Sequence, residues 1–142
     1  MSDIGLDQAQ VVVDAAVKKA QQIATLMNIT IIDGGGNLKA FARMDGAWLG
    51  SIDIAINKAF TARAFDIQTK ALAENSQSGE QFFGIHVSNH GRVMIFAGGI
   101  PLKMGDQVVG AVGVSGGVGK QDQAVAEAAA SAFEKLTNKR AA

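Results

Sequence analysis

Few residues in this chain can carry chemistry. Its 142 residues include two histidines, no cysteine and no tyrosine. The run Ser115-Gly116-Gly117-Val118-Gly119 stands directly before a helix start. Unpaired amides there, together with the helix dipole, could cradle a carboxylate or phosphate. The same glycines would also serve a plain tight turn. The run lacks the Gly-Lys-Ser/Thr of a P-loop and is no dinucleotide fingerprint. Gly98-Gly99 is a second glycine site, where the backbone comes close to a ligand or to a packed helix. Arg43 and Arg92 could grip a carboxylate in bidentate fashion, with Asp45 two residues beyond Arg43. As surface ion pairs they would contribute only ~0–1 kcal/mol. The candidate ligand-binding set is therefore Arg43, Asp45, Gly98, Gly99, Ser115, Gly116 and Gly117. Lys58 could join it, but its place on the helix predicts a solvated face.

His86 and His90 are spaced like a metal pair on one helix. Ser88-Asn89-His90-Gly91 reads as a turn, which breaks that geometry, and no acidic ligand stands nearby, so no metal centre is expected. Ser88, His90 and Asp45 do not make a hydrolase, because the Gly-x-Ser-x-Gly elbow is missing. No catalytic residue is assigned.

The elements that must position these residues follow from periodicity. Ala9, Val13, Ala16, Ala20, Ile23 and Met27 form one stripe of a helix expected over Leu6–Met27. Asp7 with Gln10 resembles a capping box, and Asn28 is a C-terminal stop. Ile29–Ile32 and Leu38–Arg43 are strands joined by the Asp33–Asn37 turn. Ser51 is the expected N-cap of a helix over Ile52–Phe65, with Ile52, Ile56, Ala59, Phe60 and Ala64 inward. A short helix follows over Thr69–Asn75, then a polar loop over Ser76–Gln81. Phe82–Ser88 reads as a strand or extended arm, and Arg92–Ala97 as a strand. Ile100–Lys103 is a short edge segment because of Pro101. Gln107–Ser115 is apolar on both faces and so central in the sheet. A last helix runs over Gln121–Leu136, with Val125, Ala129, Ala132 and Leu136 inward, and residues from Thr137 should fray.

At this length, one domain over residues 1–142 is expected. Thirteen basic and thirteen acidic residues cancel, so nothing predicts binding to nucleic acid or an anionic membrane surface. No apolar run approaches the ~20 residues of a membrane span, and the opening Met-Ser-Asp-Ile-Gly has no signal-peptide character. A cytoplasmic location is inferred, which the lack of cysteine fits. Charged residues are only 18% of the chain, below the ~25% of typical soluble domains. A surface so poor in charge predicts association with copies of itself, the alternative being an alanine-rich helical exterior.

Residues 31–47, Ser51–Ala55 with Lys58-Ala59 and Thr61-Ala62, Ser88-Asn89 with Gly91-Arg92, Gly98–Leu102, and Val109–Gly117 followed by Gln121-Asp122 together resemble the GlcG/HbpS-like family. The resemblance covers almost the whole chain in order. It implies an α/β (α+β), profilin-like three-layer α-β-α fold with a five-stranded, mostly antiparallel sheet, and homo-oligomers. It implies a small-ligand-binding accessory protein for haem, a corrinoid or a small carboxylate, in glycerol, diol or glycolate metabolism. The alternatives are an enzyme of small-molecule metabolism, with Asp45 or a histidine as base, and a structural subunit without a ligand. A haem-binding relative implies an iron-ligating histidine on the first helix, whereas this chain has none between Leu6 and Met27. An axial role for His86 or His90, particularly across a subunit interface, stays open.

Overall fold

The computed structural model describes residues 3–141. Helix α1 (Leu6–Gln22) leads into β1 (Asn28–Asp33) and β2 (Leu38–Arg43). Helices α2 (Gly50–Phe65) and α3 (Thr69–Glu74) follow. A 3-10 turn (Ile85–Val87) and a tight turn, α4 (Ser88–Gly91), left-handed at Asn89 and His90, lead to β3 (Gly99–Met104), β4 (Gln107–Ser115) and α5 (Gly119–Ala141). The sheet is antiparallel throughout, in the order β2-β1-β4-β3. Its central strand β4 matches the expected range.

Alternation along the strands divides the core. Ile29 and Ile31 of β1, Val112 and Val114 of β4, and Ile100 and Leu102 of β3 join α1 and α5 in the larger apolar cluster. Ile32 and Ala111 face the other way and meet Ala59 and Ala62 of α2. Helices therefore cover both faces of the sheet. On the α2 side the approach is very close. Gly99 and Gly113 stand opposite one another in the ladder. A Cβ on Gly99 would lie 2.6 Å from the Lys58 carbonyl oxygen, and one on Gly113 would lie 2.5 Å from the Ala59 nitrogen. Side chains on these two positions would lift the helix off the sheet.

Five expectations change. Arg92–Ala97 forms no strand, so the sheet has four strands rather than five. The Thr61 hydroxyl, whose proton goes to Asn57 O at 2.7 Å, takes the place of a ladder partner there by accepting from Met94 N at 2.9 Å. Phe82–Ser88 is likewise not extended but turns into the 3-10 segment. Helix α1 ends at Gln22, because Ala24 takes a left-handed φ of 57°. Its N-terminus is fixed by Gln8 Oε1 accepting from Gly5 N at 2.9 Å rather than by Asp7. Ser51 is not the N-cap of α2; it is buried in the first turn after Leu49.

The inner face of α2 is also different from the hydrophobic stripe. Ser51, Ala55, Lys58, Ala59 and Ala62 face inward, and Ile52, Ile56 and Phe60 remain half-exposed. The glycines of the sheet cause this inversion, because a helix seated directly on backbone has room only for small side chains beneath it. Pro101 lies on the edge strand as expected. Gly98 O accepts from Val114 N at 2.9 Å, so the nitrogens of Gly99 and Pro101 face the open edge. Thr69 Oγ1 caps Gly99 N at 2.9 Å, and proline has no N–H to offer. The expected fraying from Thr137 gives way to a helix that continues to Ala141. Met1, Ser2 and Ala142 lie outside the described residues.

Candidate functional site

Two neighbouring places concentrate polar chemistry: a buried ion pair beneath α2 and an open groove around Leu26.

The ion pair overturns the reading of Lys58 as a solvated residue. Lys58 is fully buried. Its Nζ donates to Asp122 Oδ2 at 2.9 Å and to Val114 O at 2.8 Å. It also lies 5.1 Å from the centroid of the Phe96 ring. Asp122, in the first turn of α5, accepts from Gly117 N at 2.9 Å. Burial pushes the Lys58 ammonium below its ordinary value and the Asp122 carboxyl above its own, and the attraction between them only partly offsets this. The same face of the sheet holds Asn28 and Thr30, fully buried, whose Oδ1 and Oγ1 have no partner among the described residues.

The predicted anion cradle is therefore filled from within. The Gly117 amide holds Asp122, and Val118 N donates to Gln121 Oε1 at 3.0 Å. An external anion at these amides would have to displace the chain's own carboxylate. Ser115 is buried in the ladder opposite Asn28. The Gly98-Gly99 bend is satisfied in the same way: Gly98 N donates to Gln123 Oε1 at 3.3 Å and Gly99 N to Thr69 Oγ1. A Cβ on Gly98 would lie 2.9 Å from Lys58 Nζ. These two glycines admit the lysine and the helix, and neither lines the groove.

The groove brings together the remaining candidates. A cavity of about 470 Å³ is lined by Val17, Gln21, Leu26, Ala42, Met44 and the predicted pair Arg43 and Asp45. A second, of about 260 Å³, adjoins it through Leu26 and is lined by Trp48, Gly116, Gly117 and Gln121 among others. The left-handed turn at Ala24 builds this place by sending Leu26 outward, half-exposed, and Met27 into the core. Arg43 Nη1 donates to Ala47 O at 2.9 Å and Asn28 Nδ2 to Trp48 O at 3.0 Å, which together pin the 44–49 loop. The guanidinium keeps further N–H groups with which to meet a carboxylate. Arg43 and Asp45 form no salt bridge among the described residues. Arg92 does not share the groove; it stacks 3.7 Å from the Phe60 centroid. Sequence reasoning missed Leu26 and Trp48, although a lone tryptophan in a loop beside Arg43 was a usable signal.

His86 and His90 do not line either cavity. His86 packs edge-on against Phe83, with its Nδ1 buried and unpartnered among the described residues. His90 takes a left-handed φ of 58° in the turn. Among the described residues there is no cluster of metal-ligating side chains, and no helix long and apolar enough to cross a membrane.

A family model described as haem-degrading protein, HbpS-like, matches residues 4–131, and the chain belongs to that family. It is 37% identical to an uncharacterised 15.0 kDa protein of the dhaT-dhaS intergenic region of Citrobacter freundii, over 96% of both chains. The crystal structure of the Klebsiella pneumoniae protein ORFY superposes with a TM-score of 0.92 at 38% identity, covering 94% of this chain and 92% of that one. A crystal structure of a PduOC–haem complex superposes with a TM-score of 0.88 at 32% identity, over 92% and 94%.

Proposed function

We propose that this HbpS-like chain is a ligand-binding accessory protein whose groove around Leu26 takes an anionic tetrapyrrole. The observation that carries the reading is the placement of Arg43 at the wall of an apolar, open cavity that continues to an exposed tryptophan. Such a ring needs an extended apolar surface and a cation for its carboxylates. Leu26, Met44 and Trp48 supply the first, and Arg43 supplies the second. The larger volume, about 470 Å³, is of the size of small-molecule sites, roughly 300–1,000 Å³. The related PduOC–haem complex supports this choice of ligand.

The fit concerns the organic part of haem. The groove offers Arg43 and an apolar floor, but no histidine to the iron. Haem would supply redox and ligand-binding chemistry where it is bound with iron ligands; no reaction is derived through it here. Association of the chain with copies of itself, in the cytoplasm and in the service of glycerol, diol or glycolate metabolism, completes the proposal. The exposed apolar side chains Trp48, Leu49, Phe82, Phe83 and Val87 support self-association.

Titration with haem at micromolar protein, followed by the Soret band, tests the reading. A saturable shift that Arg43→Ala weakens is the expected result. A spectrum that matches free haem at every ratio would remove the tetrapyrrole.

A further inference from the structure

Iron in a protein-bound haem is normally held by histidine, cysteine, methionine or tyrosine. This chain has no cysteine and no tyrosine, and both of its histidines lie in the 85–91 segment outside the groove. The one thioether lining the groove belongs to Met44, whose sulfur already accepts from Met27 N at 3.4 Å. Lys18 and Lys19 of α1 carry ammonium groups, which have no lone pair for a metal while protonated. By contrast, the groove is well provided for the rest of the molecule, with apolar side chains for the ring face and a guanidinium for the carboxylates.

From this mismatch we infer that the groove recognises the porphyrin macrocycle and its carboxylates independently of any metal at the ring centre. The inference rests on the tetrapyrrole reading above and makes it more specific. The ligand class becomes dicarboxylate porphyrins, metal-free ones included, and the role becomes carriage of the ring rather than chemistry at iron. Affinity comes from desolvating the ring faces over Leu26 and Trp48 and from charge-assisted bonds to Arg43. None of these terms changes when the central metal is removed.

The chain's single tryptophan, Trp48, lies in the groove, so its fluorescence reports occupancy directly. Three probes are titrated against the full chain: metal-free protoporphyrin IX, zinc protoporphyrin IX and haem. All three should quench Trp48 with dissociation constants within about threefold of one another, a spread below the ~1.4 kcal/mol of a tenfold change. Arg43→Ala should weaken all three by a common factor, and His86→Ala and His90→Ala should leave all three unchanged. Haem binding at least about tenfold tighter than the metal-free ring, or a selective loss of haem in a histidine variant, overturns the inference while leaving the tetrapyrrole reading in place. Failure of all three probes to quench overturns both.

Discussion

The two polar places in this molecule sit side by side and are built on opposite principles. Beneath α2, Lys58 and Asp122 are sealed from water, and their close polar contacts are all internal. Around Leu26, Arg43 and Asp45 stand exposed beside apolar side chains that water still reaches. The first place holds the fold together at a point where α2, β4 and α5 meet; in the second, Arg43 keeps N–H groups beyond the one bonded to Ala47 O. The Gly116-Gly117 loop separates them, bonded on one side to Asp122 and lining the groove on the other. A polar cluster is thus no guide to binding by itself. What distinguishes the two is whether the donors are already matched.

The comparison can be broken most sharply at Lys58. Lys58→Met should cost about 3–5 kcal/mol, because Asp122 is left as an uncompensated buried charge. Adding Asp122→Asn, which keeps an oxygen for the loop amides, should recover a large part of the loss. Urea denaturation of both variants is the measurement, and a single variant within 1 kcal/mol of the parent would show that the pair is not buried as described. Gly113→Ala should lower stability by about 1–3 kcal/mol in the same assay, since the new methyl meets the α2 backbone.

The groove should respond in the other currency. Arg43→Ala is expected to weaken porphyrin binding about tenfold or more, the equivalent of one charge-assisted bond, and to lower stability by only the ~1 kcal/mol of its bond to Ala47 O. A loss of about 3 kcal/mol or more, as for Lys58, would place Arg43 with the structural group instead.

The pH dependence separates the two places again. The Asp122 carboxyl is raised above 3.8 in the fold, so the folded chain keeps a proton that the unfolded chain has released, and this contribution fades as pH rises through the raised value. The Lys58 ammonium is lowered below 10.5, so the unfolded chain binds the extra proton there, and stability recovers as pH climbs through that window. Relative to Lys58→Met/Asp122→Asn, the parent should therefore lose stability just above the ordinary carboxylate range and regain it in the alkaline range below 10.5. A flat difference between the two chains would remove the burial effect. The smallest change is reserved for the exposed pair Arg63–Asp66, 2.7 Å apart on the surface. Asp66→Asn, which leaves the Arg63 Nε bond to Gly34 O intact and tolerates the left-handed φ of 50°, should change stability by no more than ~1 kcal/mol.

Much of the frame was legible in the residues. The range of β4 follows from a run that is apolar on both faces, and that of β2 from the glycine turn before it. The Arg43–Asp45 half of the groove was legible from charge at a strand end. Two things were not. Helix α2 was read by hydrophobic stripe, yet its inner face is set by glycines more than thirty positions away in the chain, Gly99 and Gly113. Only the fold reveals that they remove the room a large side chain needs, and that they put Lys58 inside. Arg92–Ala97 has the composition of a strand, but its Met94 amide is taken by a side-chain hydroxyl, that of Thr61, instead of a neighbouring strand. Nothing local signals such a substitution. The Ser115–Gly119 run was read as a cradle for an outside anion, and instead Gly117 N donates to Asp122 and Val118 N to Gln121, both from the next turn of the same chain.

The sheet's last strand has a bearing on growth. Along β3, Thr69 covers one outward amide and Pro101 abolishes the next, so this border cannot template an incoming strand over that stretch. If a second molecule were to extend the sheet, it would have to join at β2, and a β2-to-β2 union would carry a β3 border at each extremity. Lateral accretion would then halt at two molecules, and a continuous fibril of stacked strands is denied by the geometry of one proline and one threonine.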